Sequence, residues 1–215
     1  MANNAIDQRG RFVIGLSGGS AAKFLCQGLP AQKTDWAKWT FFFCDERHVE
    51  HSDPECTYSV YKAGLFDPVG ISPDQVFPDD PSLSVDDAAA QYSEHLKNAF
   101  PGNDLPRFDL LILGMGPDGH TCSLFPQHPL LTETSKLVAA IADSPKPPSQ
   151  RITITFPVIQ NCRCALFISC GASKADMVQR VLEGSEDLPA ARVRPTDGDL
   201  VWFLDKGAAS KLTCN

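Results

Sequence analysis

The chain has no apolar run long enough to span a membrane, and Met1 to Arg11 lack the apolar core of a signal peptide. It has no surplus of basic charge. Lys and Arg number 19 against 26 Asp and Glu, for a net charge of −7. That balance argues against nucleic acid or an anionic membrane as the main partner, and an anionic small substrate would need cations placed locally. No C-x-x-C pair occurs among the eight cysteines. Cys162 and Cys164 are two apart, but no second pair completes a zinc site, so no metal is expected. Cys26, Cys44, Cys122 and Cys170 lie in or beside apolar segments, as small hydrophobes do. Reduced thiols make a cytoplasmic location the expectation. The chain also has no internal repeat, no low-complexity tract and no linker that would divide it. Ser144 to Ser149 (SPKPPS) reads as a short surface loop.

What is present is alternation. A chain of 215 residues suits one domain, large enough to bury about 70% of the surface its unfolded form exposes. Arg11–Leu16, Trp39–Cys44, Phe108–Leu113, Lys136–Ile141, Arg151–Thr155, Arg163–Ser169 and Leu200–Leu204 read as strands. Helices are expected over Ser20–Gln27, Cys56–Gly64, a segment capped by Ser84, Ala172–Glu183 and Asp205–Leu212. The pattern predicts an α/β, single-domain, Rossmann-like fold, with a mainly parallel sheet and helices on both faces.

Ligands of such sheets sit beyond the carboxyl ends of the strands, and chemistry-bearing residues cluster there. Phe108–Leu113 runs into Gly114-Met115-Gly116-Pro117-Asp118-Gly119-His120. A histidine in that place, with an aspartate two residues earlier, suits proton transfer; the plain alternative is a solvated turn. Gly114 to Gly119 formally matches G-x-G-x-x-G. However, Asp118 puts negative charge where a pyrophosphate would lie, Pro117 removes a donor, and Pro126 interrupts any following helix. His128 reads as a surface histidine. Ser17-Gly18-Gly19-Ser20 opens a helix, where free N–H groups favour a phosphate, although the loop lacks the G-K-[ST] of a Walker motif. Asp45-Glu46-Arg47 follows the aromatic strand, and the Arg47 fork can grip phosphate or simply pair with a neighbouring carboxylate. Arg151 and Lys174 are further cations; a lysine near a helix start is disfavoured unless an anion joins it.

LSGGS (Leu16 to Ser20), FCDER (Phe43 to Arg47) and FDLLILGMGPDGHTCSLFP (Phe108 to Pro126) together resemble the 6-phosphogluconolactonase family. DSPKPP (Asp143 to Pro148), RITITFPVI (Arg151 to Ile159) and WFLD (Trp202 to Asp205) extend the resemblance over nearly the whole chain. It implies hydrolysis of 6-phospho-D-glucono-1,5-lactone to 6-phosphogluconate, with no metal or organic cofactor. His120 and Asp118 are then the expected catalytic pair. Gly18, Gly19, Ser20, Asp45, Arg47, Gly116, Arg151 and Lys174 are the expected substrate and phosphate contacts. No G-x-S-x-G elbow is present, which favours direct attack by water. A glucosamine-6-phosphate deaminase would resemble H-x-A-F-N-E-P after its histidine, whereas Leu124 and Phe125 occupy the Asn and Glu places. A non-catalytic sugar-phosphate-binding protein is the other alternative. Relative to the family pattern, residues 1–215 are expected to form one domain without the usual N-terminal strand and helix. A monomer acting on a small sugar-phosphate lactone is expected.

Overall fold

The computed structural model describes residues 1–184 and 187–213. Strands β1 (Phe12–Leu16), β2 (Trp39–Phe43), β3 (Asp45–Arg47), β4 (Val76–Phe77), β5 (Leu110–Leu113), β6 (Val138–Ile141), β7 (Arg151–Ile154), β8 (Cys164–Ser169) and β9 (Asp199–Leu204) form two sheets. Six of them, ordered β4-β2-β1-β5-β8-β9, make a wholly parallel sheet. The helices are α1 (Ala2–Arg9), α2 (Ser20–Gly28), α3 (Thr57–Tyr61), α4 (Asp67–Val69), α5 (Val85–Ala99), α6 (Phe156–Gln160), α7 (Ala175–Leu182) and α8 (Pro189–Arg192).

The period of two in each strand divides the interior into two cores. Phe12, Ile14, Leu16, Phe41, Phe43 and Ile112 bury against α1, α2 and α3. Val13, Phe42, Leu111, Leu113, Ala165 and Phe167 bury on the opposite face, against α5, α6 and α7. Helices on both faces of a mainly parallel sheet is therefore the architecture observed. Ser84 caps α5 as expected, accepting from the Asp87 amide at 3.2 Å. Tyr92 of that helix bridges Phe43 of β2, accepting from its N–H at 2.6 Å and donating to its carbonyl at 3.1 Å.

Three expectations change. Arg151–Thr155 and Lys136–Ile141 do form strands, but with β3 they make a separate antiparallel sheet, ordered β3-β7-β6. Asp45–Arg47 is thus a strand: the chain leaves β2 through Cys44 and is captured at once by β7. Asp205–Leu212 is a set of turns, not a helix. The Asp205 carboxylate takes the Ala208 amide at 2.7 Å and the Gly171 amide at 3.0 Å, a local alternative to helical bonding. The expected Cys56–Gly64 helix divides into α3 and a wider turn over Lys62–Phe66 that leads into α4.

Candidate active site

Four segments leaving the sheet converge on one cleft of about 190 Å³. Ser17 to Ser20 follow β1, Asp45 and Arg47 lie beyond β2, Gly114 to His120 follow β5, and Ser169 to Lys174 follow β8. The walls include Gly18, Gly19, Ser20, Asp45, Arg47, Gly116, His120, Arg151 and Lys174. Every expected contact is therefore brought together, and Asp118 stands behind His120. Gly19 caps α2 with φ 73° and ψ −145°, a conformation open to glycine, and with Gly18 and Ser20 it places the start of the helix in the cleft wall.

His120 is held rather than solvated. Its Nδ1 lies 2.5 Å from Asp118 Oδ1, and its ring packs on Phe125 with centroids 4.7 Å apart. Because Asp118 accepts from Nδ1–H, Nε2 is left as the nitrogen that can take a proton. Burial pushes the imidazole below its ordinary value, opposed by Asp118 and reinforced by the charge of Lys146. That shift favours the neutral ring. Burial works against the Asp118 charge, yet its bonds to His120 and Lys146 hold its carboxyl at about 2. Gly116 makes this packing feasible, since a Cβ there would lie 2.0 Å from His120 Cε1.

The antiparallel register sets Arg47 directly opposite Arg151. Like charges facing each other across a strand pair are unfavourable unless an anion lies between or above them. Arg47 does pair with Glu55, Nη1 to Oε2 at 3.1 Å, but still lines the cleft. Burial depresses the Arg151 guanidinium, which donates to the carbonyls of Lys146, Pro147 and Pro148. Lys174 donates to the Met115 carbonyl at 2.8 Å. Asp45 accepts from Ser123 Oγ at 2.8 Å.

Several participants escaped the sequence reading. Lys146 reaches in from the Ser144–Ser149 loop, with Nζ 3.1 Å from both Asp118 Oδ1 and His120 Nδ1. That loop is accordingly part of the site and not merely surface; its DSPKPP block was the available signal. Ser17 and Ser169 line the cleft with buried hydroxyl oxygens that have no partner among the described residues. Such oxygens call for a ligand or water. Glu46 is nearly fully buried and accepts the amides of Arg47, Thr57 and Tyr58, tying β3 to α3. Burial raises it to about 7, against the pull of those amides. His128 differs from expectation: it is half-buried, its Nδ1 accepts from the Leu130 amide and its Nε2 lies 3.0 Å from Asp143.

Residues 1–202 match the family described as glucosamine-6-phosphate isomerases/6-phosphogluconolactonase. The chain belongs to that family. The 6-phosphogluconolactonase of Rattus norvegicus is 50% identical over 211 residues, covering 95% of this chain and 82% of the relative. That of Homo sapiens is 50% identical over 212 residues, with the same coverage. Among solved structures, the 6-phosphogluconolactonase of Thermotoga maritima superposes with a TM-score of 0.83 at 30% identity, covering 94% of this chain and 88% of the other. The parallel sheet with flanking helices is thus the fold of this family, and the histidine cleft lies within the matched span. Among the described residues, no helix is long and apolar enough to cross a membrane.

Proposed function

We infer that this family member is a 6-phosphogluconolactonase: it hydrolyses 6-phospho-D-glucono-1,5-lactone to 6-phosphogluconate in the pentose phosphate pathway. The observation that carries the mechanism is the Asp118–His120 pair, with Nδ1 engaged and Nε2 left without a partner among the described residues. A lactone is an internal ester. Its opening needs a base for water, stabilisation of the tetrahedral oxyanion and a proton for the departing ring oxygen. His120 Nε2 takes a proton from water as the water oxygen bonds to the carbonyl carbon. The imidazolium so formed is stabilised by Asp118 and returns that proton to the ring oxygen as the carbon–oxygen bond breaks. Arg47, Arg151, Lys174 and the Gly18–Ser20 amides hold the phosphate, and the unpartnered Ser17 and Ser169 hydroxyls face the sugar.

Attack by a cysteine thiol in place of water is disfavoured, although Cys122 lines the cleft with His120. Its hydrogen bond with Cys44 and its burial raise Cys122 well above the ordinary thiol range, so it is protonated and a poor nucleophile. The deaminase alternative lacks its carboxylate, because Leu124 and Phe125 are fully buried apolar side chains. The described cysteines are free thiols, which supports a cytoplasmic setting, and the acidic balance supports a small-molecule partner over nucleic acid. The test is acceleration of lactone hydrolysis above the spontaneous rate in the same buffer. A rate equal to that background at micromolar protein would overturn the assignment.

A further inference from the structure

The opposite end of the same three strands carries a second concentration of cations. Arg11, Asp109 and Arg163 stand one residue before β1, β5 and β8, whose far ends build the active site. One strand length, roughly 15 Å, separates the two ends. There Arg9, Arg11, Arg107 and Arg163 line a cavity of about 200 Å³ that contains one carboxylate, Asp109.

That carboxylate is already committed. Asp109 Oδ2 accepts the Val13 amide at 2.8 Å, while Oδ1 lies 2.7 Å from Arg9 Nη2 and 3.4 Å from Arg163 Nε. Arg107 is paired with Asp197 at 2.7 Å, but the Asp197 side chain is 88% exposed. Four guanidinium groups therefore face two carboxylates. The remaining neighbours are weak partners for charge: Arg11 donates to the Ala99 carbonyl at 2.8 Å and lies over the Phe100 ring at 5.5 Å. Most telling, Arg107 Nε is buried without a hydrogen-bond partner among the described residues. A guanidinium N–H taken from water and left unpaired is costly, and such a group calls for an acceptor. Burial and the neighbouring Arg107 and Arg9 charges lower Arg163, opposed by Asp109 and Asp197.

We propose that this arginine-lined cavity is a second anion site, which takes a phosphate dianion, either free phosphate or the head group of a small phosphomonoester. Guanidinium forks match the oxygens of a tetrahedral dianion, whose several oxygens and double charge suit it to bridging several arginines. The site is independent of the catalytic cleft, because it shares no residue with it.

The experiment is calorimetric titration of the full chain carrying Arg47→Ala and Lys174→Ala, so that the active-site anion pocket is weakened. Inorganic phosphate is the first probe and glycerol 3-phosphate the second. The expected result is one residual site, weakened at least tenfold by adding Arg11→Gln and Arg163→Gln. Asp197→Ala, at an exposed carboxylate, should instead tighten phosphate severalfold by releasing Arg107 from its competing anion. That gain cannot arise from misfolding. Tighter binding of glycerol 3-phosphate than of phosphate assigns the site to monoesters, and the reverse order assigns it to free phosphate. Absence of any residual site for either probe, or affinities unmoved by both the arginine and the Asp197 changes, would overturn the proposal.

Discussion

Replacing Gly116 by alanine should disable the base without disturbing the fold. The new Cβ would lie 2.0 Å from His120 Cε1, 2.1 Å from Nδ1 and 2.7 Å from Asp118 Oδ1. Carbon atoms rest about 3.5–4.0 Å apart, so the imidazole must retreat by roughly 1.5 Å. Phe125 blocks one direction of retreat. A retreat of that size breaks the 2.5 Å bond to Asp118 and removes Nε2 from its place. Misplacement by about 1 Å can cost on the order of 10²-fold, and general acid–base catalysis contributes about 10²–10⁴-fold in all. We therefore expect kcat to fall about 10²–10³-fold, or about 2.7–4 kcal/mol in barrier. Gly116 does not have a left-handed φ, so alanine is compatible with its backbone. The assay is proton release from the lactone in weak buffer, with the spontaneous rate subtracted. A folded Gly116→Ala protein with kcat close to the parent would refute the packing argument.

The other expectations follow from the same charges and contacts. The acid limb of kcat/KM should fall below the ordinary histidine value, because burial lowers His120 and activity is lost only as pH drops through that depressed value. Lys146→Met should move this limb up and Asp118→Asn should move it down, since Lys146 lowers and Asp118 raises the imidazole; movement in one common direction would contradict the geometry. Arg47→Ala should weaken 6-phosphogluconate binding on the order of tenfold or more, as charge-assisted bonds contribute about 1.5–3 kcal/mol, and equilibrium titration would show it. Cys122→Ala should keep kcat within a few-fold while losing on the order of 1 kcal/mol of stability to denaturant, typical of a small buried change; an inactive but folded variant would restore the thiol mechanism.

The central strands were legible because they are apolar runs buried on both faces, and the site was legible because parallel strands deliver their following loops to one edge. Pairing partners were not legible. β3, β6 and β7 read as ordinary strands or strand ends, and only the register of Asp45–Arg47 against Arg151–Thr153 reveals a second sheet. That register is what sets Arg47 beside Arg151. Helix α1 escaped because ANNAIDQR has no apolar stripe and fully buries only Ala5. Lys146 escaped for a different reason. It lies in a proline-rich loop 26 residues from His120, and the contacts of its Nζ with Asp118 and His120 are long-range facts that no local pattern records. The Asp118–His120 contact was foreshadowed by spacing alone; its bond needed the turn that Gly119 permits and the space that Gly116 leaves beside the imidazole.

The central claim is that His120 moves the proton. The most direct measurement is single-turnover lactone hydrolysis by His120→Ala, alongside titration of the same protein with 6-phosphogluconate. The account predicts that kcat falls about 10²–10⁴-fold toward the background while product affinity is retained. Near-parental turnover by the folded variant, after subtraction of spontaneous opening, would contradict it.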